Sequence, residues 1–354
     1  MSTQLSCSHV HVGSDDFLFL KGGKHSVFQL FSDTSAVNES SYEAFWQNIK
    51  TRQHFCKAND IRFIHLIFPE KSVVLKRYLL DPIRTNIRSL YTHQYRKPYL
   101  AFGKDAELTA AILYPLSCLR ESLGYLRTDT HLSGSGYVQV AKLVLDRLVN
   151  KSHYPGWVNS FSNDDAPLTR LHSSFSGDLA RMLFDEAGIF VTESANTLHL
   201  KHYSMQTETN GLLRGNDGII DLVSSKSTKT SSRLLVFGDS FFRQMLPLMG
   251  LYFKEILFVR TRFFHYELIQ SFRPSHIITS TAERYLSRVS LDSNRPHFLA
   301  YPLIKGVPTS PSPGFSNLWS RLIDSRKLAT TFDHASSVPA SGVTRGDQPR
   351  RSRG

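Results

Sequence analysis

The sequence predicts an α/β protein: a mostly parallel sheet with helices on both faces. Short apolar runs rich in β-branched and aromatic residues recur along the chain, namely Ile61 to Phe68 (IRFIHLIF), Leu234 to Phe237 (LLVF), Ile256 to Val259 (ILFV) and His276 to Thr279 (HIIT). Segments of helical composition separate them. Strands that alternate with helices favour a parallel sheet covered on both sides. With 354 residues, 41% of them hydrophobic, the chain has the apolar mass for such a core.

Phe17 to Leu20 reads as a short strand after the turn-prone Gly13 to Asp16. Ser41 to Ala58 reads as a helix with Phe45, Trp46, Ile49 and Phe55 on its apolar side. Ile61 to Phe68 is a strand ended by Pro69, and Lys71 to Leu80 is helix-compatible. Ala111 to Tyr114 is a short apolar run before Pro115. Gly134 to Val149 is a helix whose Val138, Ala141, Leu145 and Leu148 make one buried stripe. Ser176 to Ala187 is a further helix, and Ser224 to Ser232 (SSKSTKTSS) a surface loop. The LLVF strand follows, then the turn Gly238-Asp239-Ser240 and a helix over Phe241 to Leu248. Tyr266 to Phe272 and Ala282 to Leu286 supply helices on either side of the HIIT strand.

Residues 1–330 read as one α/β domain. From about Thr331 the composition turns to Ser, Pro, Gly and Arg, which predicts a disordered basic tail over 331–354. Its last stretch, Thr344 to Gly354, carries +3 of the formal net charge of +12. The positive balance suits a polyanionic partner, but no basic helix and no interleaving of aromatic and basic residues argues for nucleic acid. Cys7, Cys56 and Cys118 are too far apart for a metal knuckle and odd in number, which predicts reduced thiols. The N-terminus lacks a basic region followed by a long apolar run, and no segment approaches about 18 uninterrupted apolar residues. The expectation is a cytoplasmic chain without a transmembrane helix.

Two motifs carry chemistry. In Leu235-Val236-Phe237-Gly238-Asp239-Ser240-Phe241, a serine stands at the carboxyl end of a buried strand, where ligands of parallel sheets bind. Its N–H lies near a helix N-terminus and can support an oxyanion. The bland alternative is a β-turn with Asp239 and Ser240 as capping residues. In Thr128-Asp129-Thr130-His131-Leu132-Ser133, an imidazole suited to deprotonate a serine lies two residues from a carboxylate suited to orient it. The alternative has Asp129 capping the helix near Gly134.

Together the motifs resemble the SGNH-hydrolase-like proteins of alginate and exopolysaccharide O-acetylation, in which a D-x-H pair precedes the serine. Gly13 to Leu20 (GSDDFLFL), Ile64 to Lys71 (IHLIFPEK), Tyr125 to His131 (YLRTDTH), Ser176 to Leu179 (SGDL) and Pro274 to Leu286 (PSHIITSTAERYL) are similar to further family segments, in order over residues 10 to 290. The resemblance implies an SGNH-hydrolase-like, flavodoxin-like sheet and an acyl-serine route. Ser240 would be the nucleophile, His131 the base and Asp129 its orienting group. Gly238, Asp239 and Arg243 are the candidate oxyanion and substrate positions. It also implies a carbohydrate or polysaccharide acceptor, acidic ones included, and an acyl donor that a membrane acyltransferase partner could supply. No cofactor or metal is expected.

Some residues keep a second reading. His9 and His11 could ligate a metal, although a strand edge accounts for them. Glu70 and Lys71 could contact substrate or cap a helix, and Glu283 and Arg284 read as a structural ion pair. His265 is a reserve base, and Arg243 could equally face solvent. A non-catalytic module of the same fold, holding a polyanionic glycan or nucleic acid, is the competing functional class.

Overall fold

A computed structural model of the chain describes residues 7–32, 37–103, 106–149, 169–200, 204–212, 217–226, 228, 230–306 and 311–328. The tail predicted over 331–354 lies outside the described residues.

Strands β1 (Val10–Val12) and β2 (Leu18–Leu20) form an antiparallel hairpin. Helix α1 (Glu39–Ala58) leads into β3 (Arg62–Phe68), and β4 is only Ile112–Leu113. Helix α2 (Gly134–Leu148) precedes β5 (Thr169–Phe175), α3 (Asp178–Ala187) and β6 (Glu193–Leu198), and β5 and β6 pair as a second hairpin. Then come β7 (Met205–Thr209), β8 (Ile220–Ser225), β9 (Arg233–Gly238), α4 (Ser240–Met249), β10 (Glu255–Arg260), α5 (Tyr266–Phe272), β11 (His276–Ala282) and α6 (Pro313–Leu322).

Seven strands form the central sheet in the order β4-β3-β11-β9-β10-β8-β7. The pairings from β4 through β10 are parallel, while β8 runs antiparallel to both β10 and β7. The α/β class and the mostly parallel sheet are as expected. The antiparallel edge is not: Ser224 and Ser225, read as loop, end strand β8. Their pairing with β10 and β7 outweighs a weak local preference.

Alternation along the central strands divides the core. Leu234, Val236, Ile256, Phe258 and Ile278 face one apolar layer with Phe45, Trp46 and Ile49 of α1, the α2 stripe, and Phe241, Phe242 and Met245 of α4. Leu235, Phe237, Leu257, Val259 and Ile277 face the other, with Leu268, Ile269 and Phe272 of α5 and Phe315, Leu318 and Leu322 of α6. Val138, Ala141, Leu145 and Leu148 are each at most 1% exposed, so the predicted stripe is the buried face of α2.

Three predicted helices differ from the reading. Lys71 to Leu80 breaks into a helical turn, Lys71–Val74, and a 3-10 turn, Lys76–Tyr78, across Leu75. The helix predicted from Ser176 starts at Asp178, because Gly177 is extended. Ala282 ends β11, and the helix predicted from it is a 3-10 turn over Glu283–Ser287.

Candidate active site

Ser240 opens α4 at the carboxyl end of β9. Asp239 is the N-cap: one of its carboxylate oxygens accepts from the Phe241 N–H at 3.0 Å, and the other accepts from the Ala282 N–H at 2.6 Å. Asp239 therefore fixes the start of α4 and ties the β9 turn to the end of β11, which sets where the serine hydroxyl can lie. A side chain at Gly238 would collide with the Ser280 hydroxyl, so the close approach of β9 to β11 requires glycine there.

Asp129 and His131 occupy a tight loop closed by a bridge between Tyr125 and Leu132. Its backbone groups are nearly all accounted for, as burial demands. Glu193 accepts from the N–H of Arg127 (2.8 Å) and from the N–H and hydroxyl of Thr128 (2.7 Å each). The Arg127 carbonyl accepts from Leu18 N–H, and the Thr128 carbonyl from Ala180 N–H. The Lys71 ammonium donates to the carbonyls of Arg127 and Asp129 at 2.9 Å each. Asp178 accepts from the N–H and the hydroxyl of Thr130. Gly177 crosses so near Thr128 and Asp129 that a Cβ there would strike both. The helix-capping alternative for Asp129 fails, since Ser133 caps α2.

This loop brings Asp129 and His131 to Ser240, which lies 109 positions after His131. Asp129 Oδ1 lies 2.8 Å from His131 Nδ1 and also accepts from the His131 backbone N–H at 2.8 Å. A carboxylate can only accept, so Nδ1 carries the hydrogen and Nε2 presents its lone pair. Nε2 is 3.1 Å from Ser240 Oγ. The imidazole rests 4.8 Å from the Phe241 ring, and its side chain is 17% exposed, so one edge of this arrangement is open. Burial pushes the Asp129 carboxyl up, but the hydrogen bonds and charge of His131 and the Asp178 N–H hold it well below the usual range. Asp178 moves the other way: burial, then the neighbouring Asp129 charge, raises it. Lys71, 2% exposed, is lowered to about 7 by burial, against the pull of Glu193, Asp178, Asp129 and Glu70.

Asp129, His131 and Asp178 bring three potential metal-ligand atoms within 4.8 Å of one another. Each is already committed: His131 Nδ1 to Asp129, Asp129 Oδ2 to the Asp178 N–H, and the Asp178 oxygens to Thr130. A cation there would displace the bonds that shape the loop, so the donor set does not fit a resident metal.

Other candidates are placed differently. Arg243 makes a two-point ion pair with Asp221 of β8, at 2.6 and 2.9 Å. Glu70 and Lys71 do not face a substrate space: Glu70 is buried against Arg284, and Lys71 lies under the loop. Glu283 and Arg284 do not pair with each other. Arg284 pairs with Glu70, while Glu283 accepts from Glu70 N–H, Tyr91 N–H, Ser89 and Tyr114, and burial raises its carboxyl. His9 pairs with Glu186, and His11 sits in β1. His265 is fully buried against Glu267, sealed from any substrate.

Asp178 and Glu193 are the site residues that sequence reading missed. The SGDL segment marked the neighbourhood of Asp178 without its role. Nothing local marks Glu193, which reaches the loop from 65 positions away.

Fold and site together define an α/β protein with a serine, a histidine and an aspartate converging at the carboxyl end of a mostly parallel sheet. No protein-family model and no curated protein matches the chain. Solved structures that align at TM-scores above 0.5 share its fold. Bacillus cereus PatB1 with a sulfonyl adduct aligns at a TM-score of 0.53 and 13% identity, over 79% of this chain and 97% of that one. A DHHW family protein from Eubacterium siraeum aligns at 0.51 and 12% identity, over 86% and 98%. The O-acetyltransferase domain of Pseudomonas putida AlgJ aligns at 0.47 and 17% identity, over 84% and 99%. Among the described residues, no helix is long and apolar enough to cross a membrane.

Proposed function

We propose that the chain is a serine-dependent O-acyl enzyme that moves an acetyl-like group on or off a carbohydrate hydroxyl. The observation that carries this reading is the continuous line Asp129–His131–Ser240, with contacts of 2.8 and 3.1 Å. His131 Nε2 takes the Ser240 proton as Oγ attacks the acyl carbonyl, and Asp129 stabilises the resulting imidazolium. The Ser240 N–H, in the first turn of α4 where helix amides lack intrahelical partners, supports the oxyanion. His131 returns the proton to the leaving group, and an acyl-serine remains. An acceptor hydroxyl then gives its proton to Nε2, attacks the acyl carbon and releases Ser240 with its proton restored. With a sugar hydroxyl the result is transfer; with water it is hydrolysis. The segments resembling the O-acetylation family favour transfer to a glycan, with the acyl group delivered by a separate acyltransferase.

Turnover of an acetyl-ester probe and covalent labelling by a sulfonyl fluoride test this reading. Wild type should turn over the ester and gain one label at Ser240, and Ser240→Ala should do neither. Equal rates in the two proteins would sink it. PatB1 has been solved with a sulfonyl adduct, which makes that reagent class a sensible choice.

A further inference from the structure

We propose that Lys71 and Glu193 are positioning residues: two opposite buried charges that grip the Arg127–Asp129 backbone from its carbonyl and amide sides and so set the Asp129–His131 geometry. This rests on the functional reading above for its kinetic consequence, but not for its structural one.

The division of labour is the key observation. Among the described residues, Lys71, from the helical turn after β3, donates only to carbonyls: those of Arg127 and Asp129. Glu193, at the start of β6, serves the amides of Arg127 and Thr128 and the Thr128 hydroxyl. The two side chains therefore hold complementary faces of the same three residues. Both are buried, at 2% and 6% exposure, and among the described residues neither has an ion-pair partner in direct contact. A buried charge without a contacting counter-ion is costly unless strong hydrogen bonds satisfy it. Here the loop backbone supplies those bonds, and charge-assisted bonds are the stronger kind. The Phe17 and Phe19 rings flank the ammonium at 5.9 and 5.5 Å and add a favourable π face to it. Of the carboxylates that favour the Lys71 charge, Glu193 contributes most, so the two communicate across the peptide they hold.

The consequence falls on Asp129. Its carbonyl is pinned by Lys71, and the Thr128 amide just before it by Glu193. The carboxylate between these anchors must meet His131 Nδ1 at 2.8 Å while Nε2 reaches Ser240. Neither clamp residue bonds to Ser240 or to the His131 ring, so both act through the loop.

The test uses the full chain with Lys71→Met, Glu193→Gln and the double variant, read in two ways. The first is the proton NMR signal of the hydrogen-bonded His131 Nδ1–H, which needs no turnover. Each single variant should lose or strongly shift it. The second is ester turnover, where kcat should fall about 10²-fold while KM stays within about twofold, the pattern of lost orientation. Because both charges hold one element, the double variant should fall no more than about threefold below the weaker single one. Lys71→Arg should recover part of the signal and rate. Glu193→Gln preserves volume and carries the test if Lys71→Met does not fold. An unchanged Nδ1–H signal in both single variants, or strictly multiplicative losses in the double, overturns the clamp. A wild-type protein that shows the signal but turns over no ester defeats the functional reading alone, and the signal still decides the clamp.

Discussion

Two neighbouring strand ends in this protein carry the same chemical parts with opposite outcomes. At the end of β9, Ser240 meets His131, which is backed by Asp129. Just past β10, the Thr261 hydroxyl lies 3.5 Å from His265 Nε2, and Glu267 backs that imidazole at 3.0 Å. The two ends touch, because the Thr261 N–H donates to the Gly238 carbonyl at 3.1 Å. Yet His265 is fully buried, its Nε2 is shared between Thr261 and the Tyr301 hydroxyl at 3.4 Å, and Glu267 also accepts from Arg295 at 2.8 Å. Every group there is occupied, and no face is open. A histidine–carboxylate pair beside a hydroxyl is therefore not enough for a site. On the proposed reading, an exposed ring edge and a hydroxyl at a strand-to-helix turn make the difference.

The most severe way to break this comparison is to remove each hydroxyl in turn. Ser240→Ala should lower ester turnover by at least about 10³-fold, whereas Thr261→Ala should leave it within about twofold. Steady-state kinetics on both variants check this, and a reversed result would reassign the site.

Removing each backing carboxylate is the next test. Asp129→Asn should cut kcat by about 10² to 10⁴-fold, since the amide no longer enforces the required tautomer. Glu267→Gln should leave kcat unchanged and instead cost about 3 kcal/mol of stability, because it leaves partners of a buried charge unmatched. Urea unfolding followed by circular dichroism measures that loss.

Acid sharpens the second arm. Burial alone would raise the Glu267 carboxyl, but His265 and Arg295 hold it down to about 2, against its ordinary 4.5. A depressed carboxyl contributes stability that is complete above 4.5 and disappears as pH falls through about 2. The stability gap between wild type and Glu267→Gln should therefore close over that window in urea titrations run at successive pH values. His65, lowered to about 3 by burial, destabilises both proteins alike as pH falls below 6.5 and so cancels from the difference.

The smallest expected effect is at Asp178. Asp178→Asn keeps an acceptor for the Thr130 N–H but removes the carboxylate 3.8 Å from His131 Nδ1. A loss of about fivefold in kcat, on the order of 1 kcal/mol, is expected from the same ester assay.

Much of this protein was determined locally. The four central parallel strands are legible because fully buried strands are near-continuous apolar runs, as in IRFIHLIF and LLVF. The α2 stripe is legible because helical spacing repeats within one segment. Ser240 and the Asp129/His131 pair were legible as types in suggestive places: a serine after a buried strand, and a histidine two residues from a carboxylate. The polar strand β7 and the serines ending β8 were not, because their pairing is decided by the neighbouring strands, β8 for β7 and both β10 and β7 for β8, rather than by their own composition. Tertiary structure alone decided which histidine stays open, that Lys71 lies under the loop instead of facing substrate, that Arg284 pairs with Glu70 rather than Glu283, and that Glu193 reaches the Arg127–Asp129 backbone. Those outcomes turn on how charges are desolvated and matched by partners tens to hundreds of positions away, and no local pattern encodes that distance.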